Sequence, residues 1–569
     1  MSLFAPSPGV QDTPAYASGR TMAPCDINLA GTEASGLQPI LCDMLPDGAL
    51  ASGARYPDSR PLASLLAAQL GVSDERVLVT AGADEALERA CRAMLAAGRN
   101  AIVTDPTFEM IPRYVTLAGA ELRAARWPSG GLPVDQIIAR ADDCTAVVAI
   151  VSPNNPTGAV AVIDDIRRVH DAIPAALILL DLAYVEFADD DITRDALTLP
   201  RVVVTRTLSK AWGMPGIRVG YAAGAAETVT WMRRAGSPYS VSAISLAIAE
   251  RALRAGNGWR DATIATVRRN RARLDALLKE LGVAPLASQA NFVTVAGTRA
   301  SWIADALAGC GVATRLLAGS DAEWVRITVP TDDAVFERLE RALRTALSPD
   351  AILFDLDGVL ADVSQSYREA IKQTAARFGV ALTAESIRER KAAGRANDDW
   401  ALTTELVVAG GGVATLPEVT ECFERLYQGD GPVPGLKEAE RLVVSREWLA
   451  ALARRCPLAI VTGRPRADAE DFLARFGIRD LFTVVITRDD GPIKPDPFPV
   501  AAACRALAAS RAWMVGDTPD DIVSARRTGV LPIGVVAPGD SADFVRNALT
   551  RAGGARVLNT TTELTSCLF

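Results

Sequence analysis

The sequence predicts an α/β protein of two successive units, each built on a buried, largely parallel sheet. Two observations carry this reading. Short apolar runs alternate with helix-period segments, the pattern of strands covered on both faces. After residue 350 the alternation starts afresh, with different polar residues at the strand ends.

Residues 1–24 are rich in Pro, Ser, Gly and Ala and read as a flexible arm. Residues 62–70 form an amphipathic helix ending at Gly71, and 76–80 a β-branched strand. Ala81-Gly82-Ala83-Asp84 then turns the chain into a helix over 85–95. Apolar runs at 101–104, 146–151, 177–181 and 202–205 complete a large domain of about 51–240. A more helical stretch follows, with short strands at 291–295 and 324–329. With residues 25–50 it forms a small lobe, 25–50 plus 241–347. Ser348-Pro349-Asp350 is the connector. A new buried strand, 351–355, precedes a helical insert over 363–455, and strands resume at 458–462, 484–487, 512–516 and 532–536.

Bulk composition narrows the functions. A net charge of −8 and a pI near 5.2 argue against nucleic-acid binding, which needs a basic face. No apolar run approaches the ~18 residues that span a bilayer. The first 24 residues lack a charged-then-apolar leader, so a cytoplasmic protein is expected. The nine cysteines contain no CxxC pair and read as free thiols. The single histidine, His170, reads as a helix-surface residue, which leaves catalysis to Asp, Lys, Arg, Tyr and a cofactor.

Only six of the 60 basic residues are lysine, and Lys210 is the first. Unlike arginine, lysine can lose its proton and form a Schiff base with an aldehyde. Pyridoxal phosphate needs such an amine, an acid beside its ring nitrogen, donors to its ring oxygen and a phosphate cup. Asp181 ends an apolar run and suits the ring nitrogen; Asn155 and Tyr184 suit the ring oxygen. Gly82, Ala83 and Asp84 at a helix start, with Thr207, Ser209 and Arg218, suit the phosphate. Phe108 suits the ring face.

In these motifs residues 25–347 resemble a fold-type I pyridoxal-phosphate aminotransferase of the histidinol-phosphate aminotransferase group. The matching stretches are Arg55-Tyr56-Pro57-Asp58, Ala81 to Glu85, Asp105-Pro106-Thr107-Phe108, Ser152 to Gly158, Asp181-Leu182-Ala183-Tyr184, the Lys210 segment and Arg326-Ile327-Thr328-Val329. The resemblance implies Lys210 as cofactor amine and proton carrier, and Arg326 as binder of a substrate anion. It also implies a homodimer in which Tyr56 reaches the cofactor of the other subunit. The family has tyrosine where Phe108 stands, and Asn-Glu-Asn-Pro where this chain has Gly31-Thr32-Glu33-Ala34-Ser35.

The second unit carries another set. Asp355-Leu356-Asp357-Gly358-Val359 follows a strand, then come Thr462-Gly463-Arg464, Lys494-Pro495 and Gly516-Asp517-Thr518-Pro519-Asp520-Asp521. Residues 351–569 thereby resemble the haloacid-dehalogenase-like phosphatases, a Rossmann-like fold, with 363–455 similar to a helical C1-type cap. The resemblance implies Asp355 as nucleophile and Asp357 as general acid and base. It implies Mg²⁺ on Asp355, Asp357 (through its carbonyl) and Asp517 with Asp521 in support, and Thr462 and Lys494 on the phosphoryl oxygens. Asp520 reads as a helix start. Lys391 to Trp400, the most polar stretch of the insert, is expected to face substrate.

The combined expectation is a bifunctional enzyme that transaminates a phosphorylated carbonyl compound with an amino-acid or keto-acid co-substrate and hydrolyses a phosphate monoester. Two rival readings use the same residues. The first unit could decarboxylate a phosphorylated amino acid, or one unit could bind without catalysing.

Overall fold

A computed structural model describes residues 6–15, 23–33, 54–318, 322–394 and 396–568. Half of the expected arm, residues 34–50 of the expected small lobe (with Ala34 and Ser35) and Arg395 of the insert lie outside the described residues. The chain divides into two compact units. One comprises Met1–Gly19, Leu29–Ala300 and Thr314–Glu337, the other Arg20–Asn28, Ser301–Ala313 and Arg338–Phe569.

The first unit holds a seven-stranded sheet of β1 (Val77–Thr80), β2 (Asn100–Asp105), β3 (Glu121–Arg126), β4 (Thr145–Val151), β5 (Leu177–Asp181), β6 (Val202–Thr207) and β7 (Gly220–Ala223). The order is β1-β7-β6-β5-β4-β2-β3. β7 is antiparallel to β1 and β6, and the other pairs are parallel. β4, β5 and β6 are buried along their whole length, as their Val-, Ile- and Leu-rich runs lead one to expect, and burial extends to the Thr205-Arg206-Thr207 end of β6. Two strands escape the sequence pattern. β3 reads ELRAAR and is an exposed edge; β7 reads GYAA and has almost no β-formers. β7 has a reason to be small. A Cβ on Gly220 would run into the backbone of Gly82 and Ala83, which open helix α1 (Gly82–Met94). A second sheet of β8 (Phe292–Ala296), β9 (Arg315–Ala318) and β10 (Glu323–Thr328) is antiparallel, ordered β9-β10-β8.

One expectation fails here. His170 is buried, because it shares the inward stripe of helix Ile163–Ala172 with Ile166 and Val169. Its Nδ1 lies 2.8 Å from Oδ1 of Asp171.

The second unit holds a six-stranded parallel sheet of β11 (Ala351–Phe354), β12 (Leu458–Val461), β13 (Val484–Ile486), β14 (Ala512–Gly516), β15 (Leu531–Val535) and β16 (Arg556–Leu558). Its order is β13-β12-β11-β14-β15-β16, so the first strand is central. The insert contains α2 (Tyr367–Arg377), α3 (Ala384–Ala392), α4 (Asp399–Ala409) and α5 (Leu416–Gln428). Two further helices matter below, α6 (Pro519–Arg527) and α7 (Ala542–Ala552).

The compact division does not fall at the expected connector, 348–350. Trp302 packs on Trp513 at 5.1 Å between ring centroids. Their indole N–H groups donate to the carbonyls of Ala346 (3.0 Å) and Thr345 (2.6 Å). This wholly buried aromatic pair draws Ser301–Ala313 and the residues after 337 into the second unit. No helix among the described residues is long and apolar enough to cross a membrane, and the described cysteines are all free.

Two candidate active sites

Parallel strands deliver their polar termini to one edge of the sheet. Asp181 ends β5, Thr207 ends β6 with Ser209 and Lys210 in the following loop, and Ala83 and Asp84 lie in the first turn of α1. With Phe108, Tyr184 and Arg218 they line one cavity of about 110 Å³.

One end of this cavity gathers donors that could hold an anion. Thr207 Oγ1 donates to Ser209 Oγ at 2.9 Å. Arg218 reaches Ser209 Oγ at 3.4 Å and Asp84 Oδ2 at 3.2 Å. Gly82 has φ +80°, and a Cβ there would strike the Arg218 guanidinium. Arg218 itself has φ +51°, a left-handed conformation costing a non-glycine residue about 1 kcal/mol. The backbone N–H groups of the α1 start complete the cup.

At the other end lies Asp181, only 3% exposed. Burial pushes its carboxyl up to about 6, against hydrogen bonds from Thr205 Oγ1 (2.9 Å) and the Ala183 N–H (3.2 Å). Both bonds fall on Oδ1. Lys210 Nζ donates to Thr32 Oγ1 and lies 5.3 Å from the centroid of the Tyr184 ring. Thr32 Oγ1 is also 3.2 Å from the Tyr184 hydroxyl. Asn155 and Arg326 are both buried, and Arg326 Nη1 donates to Asn155 Oδ1 at 2.7 Å. Guanidinium has no acceptor, so the amide must turn its oxygen to Arg326 and keep Nδ2 free to donate. Tyr56 is apart from this cavity: it is 81% exposed and stacks on Tyr239 at 4.7 Å.

The second site gathers at the carboxyl ends of β11, β12 and β14. Asp355 is buried, and its Oδ1 accepts the N–H of Leu356 at 2.7 Å. Lys494, also buried, places Nζ 2.9 Å from Asp355 Oδ1, 2.5 Å from Asp521 Oδ1 and 2.9 Å from the Val461 carbonyl. Oxygens of Asp355, Asp517 and Asp521 all lie within 4.8 Å of one another. Burial raises the carboxyls of Asp355 and Asp517, and their shared negative charge raises them further. A Cβ on Gly358 would collide with Asp517, so glycine is what lets this loop close on the cluster. Thr462 is buried just past β12, its Oγ1 accepting the Arg464 N–H at 3.2 Å.

The chain matches the model of aminotransferase class I and II over residues 46–343, about half its length. It belongs to the class I and II aminotransferases. Residues 349–529 match the haloacid dehalogenase-like hydrolase model. Three curated relatives show the range. Histidinol-phosphate aminotransferase 2 of Methylococcus capsulatus is 34% identical over 306 residues, 51% of this chain and 82% of the relative. An aromatic amino acid aminotransferase of Mycobacteroides abscessus is 32% identical over 347 residues, 59% and 98% of the two chains. Imidazoleglycerol-phosphate dehydratase of Phytophthora nicotianae is 50% identical over 196 residues, 33% of this chain; the chain spans only 43% of that relative. Among solved structures, histidinol-phosphate aminotransferase from Sinorhizobium meliloti in complex with pyridoxal-5'-phosphate has a TM-score of 0.54 at 25% identity, covering 60% of this chain and 97% of its own.

Pyridoxal phosphate is thus the cofactor of the aminotransferase unit, and the residues fit it. A desolvated Asp181 carboxylate wants a cation, which a protonated ring nitrogen is. The Arg218 cup wants a dianion, and Lys210 is the one lysine lining the cavity between them. The hydrolase cluster fits a hard divalent cation such as Mg²⁺. Three carboxylates share a low-dielectric pocket with one lysine, and oxygen donors suit that class of ion.

Sequence reasoning missed several residues of this aminotransferase–hydrolase. Thr32 holds Lys210, although it stands where the family motif is lost. Arg464 is buried and donates from Nε (2.8 Å) and Nη2 (2.5 Å) to Oδ1 of Asp357. It is held in turn by Glu440 (3.0 Å) and Tyr427 (3.1 Å). Asp520 does more than start α6. Its Oδ2 accepts the Ala396 N–H (2.9 Å) and Asn397 Nδ2 (3.1 Å), while Arg488 pairs with Asp398 (2.8 Å) and covers the Trp400 ring at 4.2 Å. Ala396, Asn397, Asp398 and Trp400 of the polar stretch are therefore pinned by Asp520 and Arg488. A buried arginine's partners are non-local, so no spacing rule could have found them.

Proposed function

We propose that the chain carries out two successive reactions. Residues 25–347 transfer an amino group to a phosphorylated carbonyl compound of histidinol-phosphate type, with an amino acid as donor. Residues 351–569 then hydrolyse the phosphate ester of the product. The carrying observation is that one chain holds both constellations: Lys210, Asp181 and Arg218 line one cavity, and Asp355, Asp517, Asp521 and Lys494 gather in one buried cluster, with Asp357 two residues beyond Asp355.

In the first site, bound pyridoxal phosphate supplies the electron sink. Lys210 Nζ moves the proton at the reacting carbon, with Thr32 as its resting partner. Asp181 keeps the ring nitrogen protonated, Asn155 Nδ2 and the Tyr184 hydroxyl donate to the ring oxygen, and Phe108 stacks on the ring. Thr207, Ser209, Arg218 and the N–H groups of Ala83 and Asp84 hold the phosphate. Arg326 meets the substrate's anionic group. Tyr56, exposed here, is assigned to the cofactor phosphate of a second subunit, so the active form is a homodimer.

In the second site, Asp355, Asp517 and the Asp357 carbonyl would hold Mg²⁺, which would supply positive charge to offset the phosphoryl group's. Asp355 attacks phosphorus, and Asp357 protonates the departing ester oxygen as the P–O bond breaks. Asp357 then removes a proton from water, which cleaves the aspartyl phosphate and frees inorganic phosphate. Thr462 and Lys494 hold the phosphoryl oxygens, and Asp521 holds Lys494. The test supplies histidinol phosphate or a homologous phosphorylated amine with 2-oxoglutarate, and follows glutamate and free phosphate together. Both should form, with Asp355→Asn stopping phosphate and leaving glutamate. Absence of glutamate, with keto-acid-independent carbon dioxide release from a phosphorylated amino acid, would overturn the first half, and phosphate release by Asp355→Asn the second.

A further inference from the structure

The second unit holds a cavity of about 290 Å³ beside the carboxylate cluster. The cap helices α2 and α3 form one wall, the start of α6 with Asp517 forms its inner end, and α7 forms the floor. The volume is that of a small organic molecule.

The lining is amphipathic in a definite way. Ile387 from α3 and Leu549 from α7 are buried beneath it, and Phe544 presents its ring 38% exposed. Four cationic side chains, Arg368, Lys372, Arg388 and Lys391, face two carboxylates, Asp517 and Asp540. The pairing of these charges decides what the cavity attracts. Arg368 is spent on Asp540 through two bonds of 2.7 and 2.8 Å, and Lys391 on Asp399 at 2.9 Å. Lys372 has only a loose contact with Glu369 at 3.5 Å. Arg388 has no ion pair or hydrogen bond among the described residues; its guanidinium sits 6.0 Å from the centroid of the Phe544 ring. Asp517, in turn, belongs to the metal cluster. The outer part of the cavity therefore keeps two underused cations above an apolar floor.

Resting on the phosphatase reading above, we infer that this cavity takes the leaving group of the phosphate ester, and that the leaving group carries a carboxylate. The phosphoryl group sits at Asp355, and the organic part lies along Phe544 and Ile387. Its carboxylate meets Arg388, with Lys372 in support. A purely cationic leaving group, an amine with no carboxylate, is disfavoured by the same charges. Among the phosphorylated amino compounds that the first reaction yields, one that also carries a carboxylate is then hydrolysed in preference to histidinol phosphate itself.

A panel of aryl phosphates with closely matched leaving oxygens tests this on the full chain with Mg²⁺: phenyl phosphate, tyramine phosphate, O-phosphotyrosine and 3-(4-phosphooxyphenyl)propanoate. The expected kcat/KM for the propanoate is at least tenfold that for tyramine phosphate. This ratio should fall towards 1 in 0.5 M salt, as exposed charges are screened. It should also collapse in Arg388→Gln, while Arg388→Lys retains most of it. Equal kcat/KM across the panel, or a preference for tyramine phosphate, overturns the carboxylate assignment and leaves the phosphatase reading standing. No phosphate from any ester, in protein that binds Mg²⁺, overturns both.

Discussion

Arg464 grips Asp357 by two nitrogens on one oxygen, while its outer edge is bound to Glu440 and Tyr427. Glu440 also accepts from Arg475 at 2.8 Å, so the arginine is locked into a buried lattice. The proposed proton donor is thus oriented by a buried residue whose guanidinium is engaged by protein partners. Arg464→Met should lower kcat/KM about 100-fold for an alkyl phosphate, whose leaving oxygen needs a proton, and less than tenfold for 4-nitrophenyl phosphate, which does not. An equal loss on both esters would mark Arg464 as purely structural. Removing one partner of a buried pair also destabilises by about 3–5 kcal/mol, so Arg464→Lys serves as the milder companion.

Lys494 bridges Asp355 and Asp521 in the carboxylate cluster. Mg²⁺ bound among Asp355, Asp517 and Asp521 would relieve their repulsion, so it should stabilise the fold as well as activate it. At 100 times its dissociation constant the gain is about 2.7 kcal/mol. Differential scanning should show Tm rising with Mg²⁺ for the native chain and scarcely for Asp517→Asn. Chelation should end phosphate release and leave amino transfer intact.

Asp181 gives a pH signature. Its folded pKa, about 6, lies above the ordinary 3.8, so between these values the folded state holds the extra proton. Stability of the cofactor-free protein must fall as pH rises through that window. A rise of this size corresponds to about 3 kcal/mol. Relative to Asp181→Asn, the cofactor-free native chain should lose that amount between about pH 4 and pH 7 in denaturant titrations. Saturating pyridoxal phosphate should restore it near neutral pH in the native chain only. A pH-independent difference would refute the burial argument.

Lys210→Ala should abolish the visible absorbance of bound pyridoxal phosphate and reduce amino transfer by about 10⁴-fold or more. Thr32→Val keeps the amine but removes its resting partner. It should shift the pH at which that absorbance changes, and lower kcat about tenfold with little effect on cofactor affinity.

Strand ends were readable because burial on both faces leaves only apolar runs, and the residue that breaks each run becomes a terminus. Asp181, Asp355 and Thr462 stand out for that reason. β3 and β7 were not readable, since an exposed edge and a strand packed against the Gly82 backbone carry no apolar signature. Arg464 and Asp520 lie within recognised motifs and Thr32 where one is lost, yet their partners stand 24 to 178 positions away. Such roles are set by packing. The inward turn of His170 was legible in principle from the Ile166 and Val169 stripe.

The Trp302–Trp513 pair gives the chain an unusual genetic property. The codons that finish the core of the second unit lie upstream of its first catalytic strand, inside the segment that the aminotransferase family also uses. Recombination at residues 348–350 would inherit every hydrolase motif and still leave the Trp513 indole exposed to solvent. The two chemistries can be told apart, yet the chain cannot be divided between them by a single cut.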